Sequence, residues 1–248
     1  MEQLNNNPQS KKPQQFTNTR WSLVIAAQSE DSGQSEAALS ELCQSYWFPL
    51  YGFIRRTGRS PEEAEDLTQG FFAQLLRLDT FSRADESKGK LRTFLLKALK
   101  DYIANEHQRE NAQKRGGNVS HISLEVGWAE EQLRIEPVDP SGNPERQYER
   151  RWAMTLLKQS FSCLEEECRM RGKGELYSVM QPHLSHSADI GLKEAAEKLG
   201  MRDGAAKVAL HRLRGRFKEI FREQIRETLA EGEDLEAEVL ATMAALSV

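Results

Sequence analysis

At 248 residues the chain has room for one or two compact domains at roughly 150 residues each. Charged residues make up 29% and the hydrophobic set 38%, which describes small domains with much wetted surface and excludes a wholly disordered chain. With 34 Lys and Arg against 38 Asp and Glu the net charge is −4, so a basic coat over the whole surface is excluded and any nucleic-acid surface must be local.

Three cysteines, Cys43, Cys163 and Cys168, cannot pair completely and lack a metal-knuckle spacing, which fits a reducing cytoplasm. No run approaches the ~18–20 apolar residues of a membrane span, and the first residues lack the apolar core of a signal peptide. The expectation is a cytoplasmic protein with no membrane partner.

Residues 1–18 are polar and Asn/Gln-rich and read as a disordered tail. Thr19 is placed to cap a short helix carrying Trp21, Val24 and Ile25, and a polar break follows at Ser29 to Ser35. From Glu36, Leu39, Leu42, Cys43, Tyr46, Leu50, Phe53 and Ile54 form one stripe of an amphipathic helix that Pro49 should kink and Gly58 should close. Ser60-Pro61-Glu62-Glu63 is a capping box that opens a second helix with Leu67, Phe71, Leu75 and Leu78 on one face. A charged loop leads to a third stripe of Leu91, Leu95, Ala98, Leu99, Tyr102 and Ile103, ending near Gly117. Residues 19–117 therefore read as one helical domain.

Residues 118–144 keep no sustained period. They carry Pro137, Pro140 and Pro144 and read as a linker, with a short alternation from Val119 to Val126 that lacks a neighbour to pair with. Helical spacing returns at Trp152, Leu156, Leu157 and Leu164, and again at Leu176, Val179 and Met180 up to Pro182, opening a second domain over 145–222. The fold class by pattern is all-α: two small helical domains joined by a flexible linker.

The most informative stretch runs from Lys193 to Arg222. A short helix with Ala195, Ala196 and Leu199 meets Gly200, and a longer helix follows, which is a helix-turn-helix pattern. On the longer helix Ala206, Leu210, Leu213 and Phe217 share one arc, with Val208, His211, Arg212 and Gly215 opposite. Between Arg202 and Arg222 seven Lys and Arg (202, 207, 212, 214, 216, 218 and 222) stand against Asp203 and Glu219, a local charge of +5 in an acidic chain. Such a helix fits the major groove, and Lys207, Val208, His211 and Arg212 are the expected base readers, with Arg202, Arg214, Arg216 and Lys218 on phosphate. Beyond Arg222 seven acids face Arg226 alone. This acidic tail, 223–248, reads as a solvated helix, with shielding of the basic helix or contact with another protein as the alternatives.

In the first domain, residues 83–115 carry nine Lys and Arg against five acids. Lys88, Lys90 and Arg92 flank Gly89, and Asn105, His107 and Arg109 follow beside Tyr102. Cations, amides and aromatics together suit an unpaired nucleic-acid strand.

The run Pro61-Glu-Glu-Ala-Glu-Asp-Leu-Thr-Gln-Gly-Phe-Phe72, with Lys88-Gly-Lys-Leu-Arg-Thr-Phe-Leu95 and Ala112-Gln-Lys-Arg-Gly-Gly117, resembles region two of bacterial RNA polymerase sigma factors of the extracytoplasmic-function type. Leu192 to Gly200 with Ala206 to Arg214 resembles region four of the same family, in the same order. The resemblance implies a sigma factor that binds core RNA polymerase and directs promoter recognition and melting, with no catalytic role and no cofactor. It implies that Glu65, Asp66 and Gln69 dock on a coiled coil of the polymerase largest subunit. It further implies that Lys88, Lys90, Arg92, Phe94, Asn105 and Arg109 engage the minus-ten strand of promoter DNA, and that the helix-turn-helix takes the minus-thirty-five duplex. An inhibitory anti-sigma protein is a candidate further partner. Phe94 stands where the family often has Trp, and Ala206 where it often has Val.

The competing reading is a helix-turn-helix regulator with an unrelated helical sensor or dimerisation domain in front. A metal site built from His183, His186, Cys163, Cys168 or His211 is the weakest alternative, because loop histidines and core cysteines are far commoner than ligands at such spacings. The expectation is no metal.

Overall fold

The computed structural model describes residues 23–24, 26–27, 32–77, 89–113, 124–136, 142–184, 191–230 and 232–247. Among these the chain is all-helical, with no strand. The tail at 1–18, Thr19, Trp21, Ile25, Leu78 and Lys88 lie outside the described residues.

The first bundle consists of α1 (Ser32–Arg56), α2 (Pro61–Arg77) and α3 (Leu91–Gln113). Each buries most of the stripe its sequence marks: Leu42, Tyr46, Leu50, Phe53 and Ile54 on α1, Leu67, Phe71 and Leu75 on α2, and Leu91, Leu95 and Leu99 on α3, with Leu39, Cys43, Ala98, Tyr102 and Ile103 half-buried against the same cluster. Helix α1 starts at Ser32, earlier than expected, and runs through Pro49 as one helix. Gly58 ends it with φ of 89°. The capping box forms as read: Ser60 N donates to Glu63 Oε2 at 2.9 Å and Glu63 N to Ser60 Oγ at 3.2 Å. Gly70 lets α2 and α3 approach closely, since a Cβ there would fall 2.3 Å from the Tyr102 hydroxyl.

The stretch expected to be a linker carries α4 (Leu124–Ile135). Val126, at the end of the stretch read as a possible strand, is helical and fully buried, as is Ala129. Trp128 meets Phe48 edge to face at 5.1 Å, and Glu130 accepts from Tyr51 Oη at 2.6 Å and from Arg55 Nη2 at 2.9 Å. The alternation from Val119 to Val126 and the helix-weakening Gly127 hide this helix from a periodicity reading, and contacts to α1 hold it in place.

Pro144 occupies the first turn of α5 (Pro144–Met170), where its missing N–H costs nothing, and the Asn143 side chain caps Glu145 N at 2.9 Å. Tyr148, Trp152, Ala153 and Leu156 of α5 belong to the first hydrophobic cluster, and Leu164 and Cys168 to the second. The expected boundary at 144/145 therefore does not separate the two clusters. The guanidinium of Arg151, 1% exposed, lies against Gly52 of α1, where a Cβ would come within 2.8 Å, and bonds Glu136 at 2.7 Å.

The second cluster is built by the end of α5 with α6 (Gly174–Leu184), α7 (Leu192–Lys198) and α8 (Asp203–Arg226). Helix α6 continues past Pro182 to Leu184. The turn after α7 is a Schellman motif: Gly200 at φ 61° donates to Glu197 O at 3.1 Å, and Met201 N to Ala196 O at 2.9 Å. The last turns of α8 return Phe221 and Ile225 to the first cluster. The acidic tail folds as α9 (Leu235–Leu246), capped by Asp234 and packed on α5 and α8.

Candidate nucleic-acid interface

Helices α7 and α8 meet through small residues. Ala196 and Ala206 are both fully buried, Leu210 and Leu213 lie beneath them, and Phe217 stacks on Phe161 at 4.3 Å. That fixes the opposite face of α8 outward. Lys207, Val208, His211 and Arg212 are all exposed there, with Arg202 and Lys218 exposed beside them. Val208 is half exposed, a methyl-bearing side chain flanked in sequence by Lys207 and, a turn on, by Arg212.

Two of the expected phosphate contacts are engaged within the protein. Arg214 Nη2 donates to His183 O at 2.7 Å. Arg216 is gripped by Glu167 through Nη2 at 2.6 Å and Nε at 2.9 Å, and it also bonds Glu219 at 3.0 Å. The Glu167 hydrogen bonds, ahead of the other carboxylates, drive the Arg216 pKa far up, and Arg216 in turn pulls the Glu167 carboxyl below its usual range. Arg216 joins α8 to α5.

The minus-ten set divides in the same way. Asn105 is exposed on α3 and Phe94 is half-buried against the first cluster. The Arg109 side chain, like Lys88, is outside what is described. Arg92 is only 6% exposed, in contrast with the surface position expected of it. Its guanidinium carbon sits 4.2 Å from the centroid of the Trp152 ring, and Nε bonds Glu149 at 2.6 Å. Nη1 lies 2.6 Å from Glu238 Oε1, off the hydrogen-bonding line, and so forms an ion pair there without a directed hydrogen bond. Lys90 pairs with the other oxygen of Glu238. Burial opposes the charge on Arg92 most strongly, but Glu149 and Glu238 together outweigh it and raise its pKa.

Glu238, expected to be solvated with the rest of the tail, is 2% exposed. It was missed because a carboxylate 148 residues from its lysine leaves no local pattern. The one available signal was Glu238 and Thr242 four residues apart on one face of a helix that, past Glu238, is otherwise made of Ala, Leu, Val and Met.

On α2, Asp66 and Gln69 are exposed, whereas Glu65 is 6% exposed and accepts from Gln69 Nε2 at 3.1 Å. The exposed carboxylate face expected there is reduced to Asp66. Gln69, Phe72 and Ala73 also border an open groove of about 1420 Å³ shared with Trp47, Phe48 and Trp128. His186 lies outside the described residues, Cys163 is exposed and Cys168 buried. Among the described residues no group of three or more His, Cys, Asp or Glu side chains is arranged to hold a metal ion, and no helix is long and apolar enough to cross a membrane.

No protein-family model matches the chain, and neither the curated proteins nor the solved structures hold a match to it.

Proposed function

We propose that the protein is a cytoplasmic sigma factor of the extracytoplasmic-function type that binds core RNA polymerase and directs promoter recognition and DNA melting, acting by binding and not by catalysis. The observation that carries the DNA-binding half is the face of α8. Lys207, Val208, His211 and Arg212 stand exposed together on a helix whose reverse side is locked into a helix-turn-helix core. The order of the two resembling segments selects a sigma factor among helix-turn-helix proteins. On this reading Asp66 and Gln69 meet the coiled coil of the polymerase largest subunit, Glu65 positions Gln69, the α8 face takes the minus-thirty-five duplex, and the α3 region takes the minus-ten strand. An anti-sigma protein remains a candidate inhibitor.

One observation favours a second reading. With Lys90 and Arg92 held by Glu238, the exposed basic face among the described residues is that of the second cluster, as in a helix-turn-helix regulator with a helical sensor or dimerisation domain.

Co-purification with core polymerase and promoter-specific run-off transcription separate the two. A sigma factor associates with core and loses that association in the Asp66→Ala/Gln69→Ala double variant, which stays folded with a stability loss of about 1 kcal/mol from the missing Gln69 bond to Glu65. A regulator binds a palindromic duplex without polymerase.

A further inference from the structure

Helix α9 is built inside out. Its buried positions are polar, Glu238 and Thr242 each at 2% exposure, while Leu240 is 71% and Met243 49% exposed. The apolar residues it lends to the first cluster, Leu235, Val239, Ala245 and Leu246, are only half-buried. What seats it is charge: Glu238 on Lys90 and Arg92, and Glu236 on Arg222, the latter at 2.8 Å. A helix anchored in part by ion pairs is loosened when a competing anion is offered to the same cations, because its apolar residues are only partly buried.

Beneath Glu238 lie Lys90, Arg92 and the ring of Trp152 under the guanidinium. Glu149 remains on Arg92 from the other side, so removing Glu238 leaves a surplus cation at Lys90 beside an aromatic–guanidinium stack. A nucleic-acid phosphate suits Lys90, and a base face suits the guanidinium plane of Arg92, which the buried Trp152 ring backs from beneath.

We infer that α9 is an internal latch in which the Glu238 carboxylate occupies the phosphate position of a single-stranded nucleic-acid site formed by Lys90, Arg92 and Trp152. The inference deepens the sigma reading, since it names the regulation of the surface assigned there to the minus-ten strand. While α9 is seated the site is closed, and the apparent affinity for a strand is lowered by the fraction of molecules that are closed.

The test uses the full chain and a short fluorescent oligothymidine, read by anisotropy. Glu238→Gln keeps the shape of the side chain and removes its charge. Asp234→Ala removes the α9 cap, which accepts from Glu236 N at 2.9 Å and Ala237 N at 3.3 Å, without touching Lys90 or Arg92. The first variant tightens binding about tenfold and the second about threefold, and adding Lys90→Ala to either cancels the gain. In the wild-type chain, saturating oligothymidine speeds hydrogen exchange of the α9 amides. That arm needs no variant to fold. Unchanged affinity in both variants, α9 exchange unchanged or slowed by the oligonucleotide, or no binding of oligothymidine to any of these proteins overturns the latch. Core polymerase co-purification is run on the same proteins: loss of that association alone defeats the sigma reading, and its retention with an unmoved α9 defeats the latch alone.

Discussion

Arg92 on α3 and Trp152 on α5 are joined face to charge, with the guanidinium carbon 4.2 Å from the ring centroid and both residues almost fully buried. The pair fastens α5 to the bundle that precedes it. The Tyr148 hydroxyl, donating to Arg92 O at 3.0 Å, reinforces the junction one turn earlier.

Trp152→Ala removes a side chain 2% exposed and leaves a cavity under a buried cation. A loss of about 3–5 kcal/mol in urea unfolding is expected. Were α5 part of the second cluster alone, a probe on Trp47 in α1 would report no change.

Arg55 and Tyr51 hold the Glu130 carboxyl below its usual range, the Arg55 hydrogen bond contributing most. A carboxyl depressed by folding contributes stability that is full above its unfolded pKa of about 4.3 and is lost as the pH falls through the lower folded value. Glu130→Gln should therefore lower the thermal midpoint at neutral pH, by about 1–2 kcal/mol of stability, and the two proteins should converge in acid. Midpoints measured across a pH series check this; a constant difference down to strongly acid pH rules the ion pair out as the cause.

Arg212 and Arg216 lie one helical turn apart and should behave in opposite ways. Arg212→Ala, on the open face, should cut duplex affinity and relax preference at one base position while stability stays within about 0.5 kcal/mol. Arg216→Ala should cost about 1–2 kcal/mol of stability through its bonds to Glu167. Chemical denaturation beside binding to single-base variants separates them.

Gly70→Ala drives a methyl into the Tyr102 hydroxyl and should cost about 1–3 kcal/mol. Tyr102→Phe takes away the colliding atom, so Gly70→Ala should cost markedly less in that background. A double-mutant cycle in urea measures the coupling, and additive effects would place the strain elsewhere.

The helix-turn-helix, the capping box at Ser60 and the three stripes of the first bundle were legible because each is a local pattern: a period near 3.6, a glycine at a positive φ, a Ser and Glu three apart. Pro144 shows the limit. Proline clustering marks a linker by composition, yet the same residue is well suited to the first turn of a helix, and Asn143 before it is the sign that decides. The exposure of Lys207, Val208, His211 and Arg212 on α8 could be read from the angular position of each residue, whereas the burial of Arg92, Glu65 and Glu238 could not. Arg92 and Glu238 are placed by partners on other helices, far away in the sequence.

Helix α5 contributes Trp152 to one hydrophobic cluster and Cys168 to the other without a break. Its 27 residues amount to a shaft of about 40 Å. A protein reading two separated DNA elements through a flexible connector tolerates many spacings between them; one mounted on a shaft behaves as a ruler. Each residue added near Gln159 would lengthen it by about 1.5 Å and swing one end by about 100° around the axis. On the proposed sigma reading, the permitted distance and helical phase between the two promoter elements would then be set by the length of one helix.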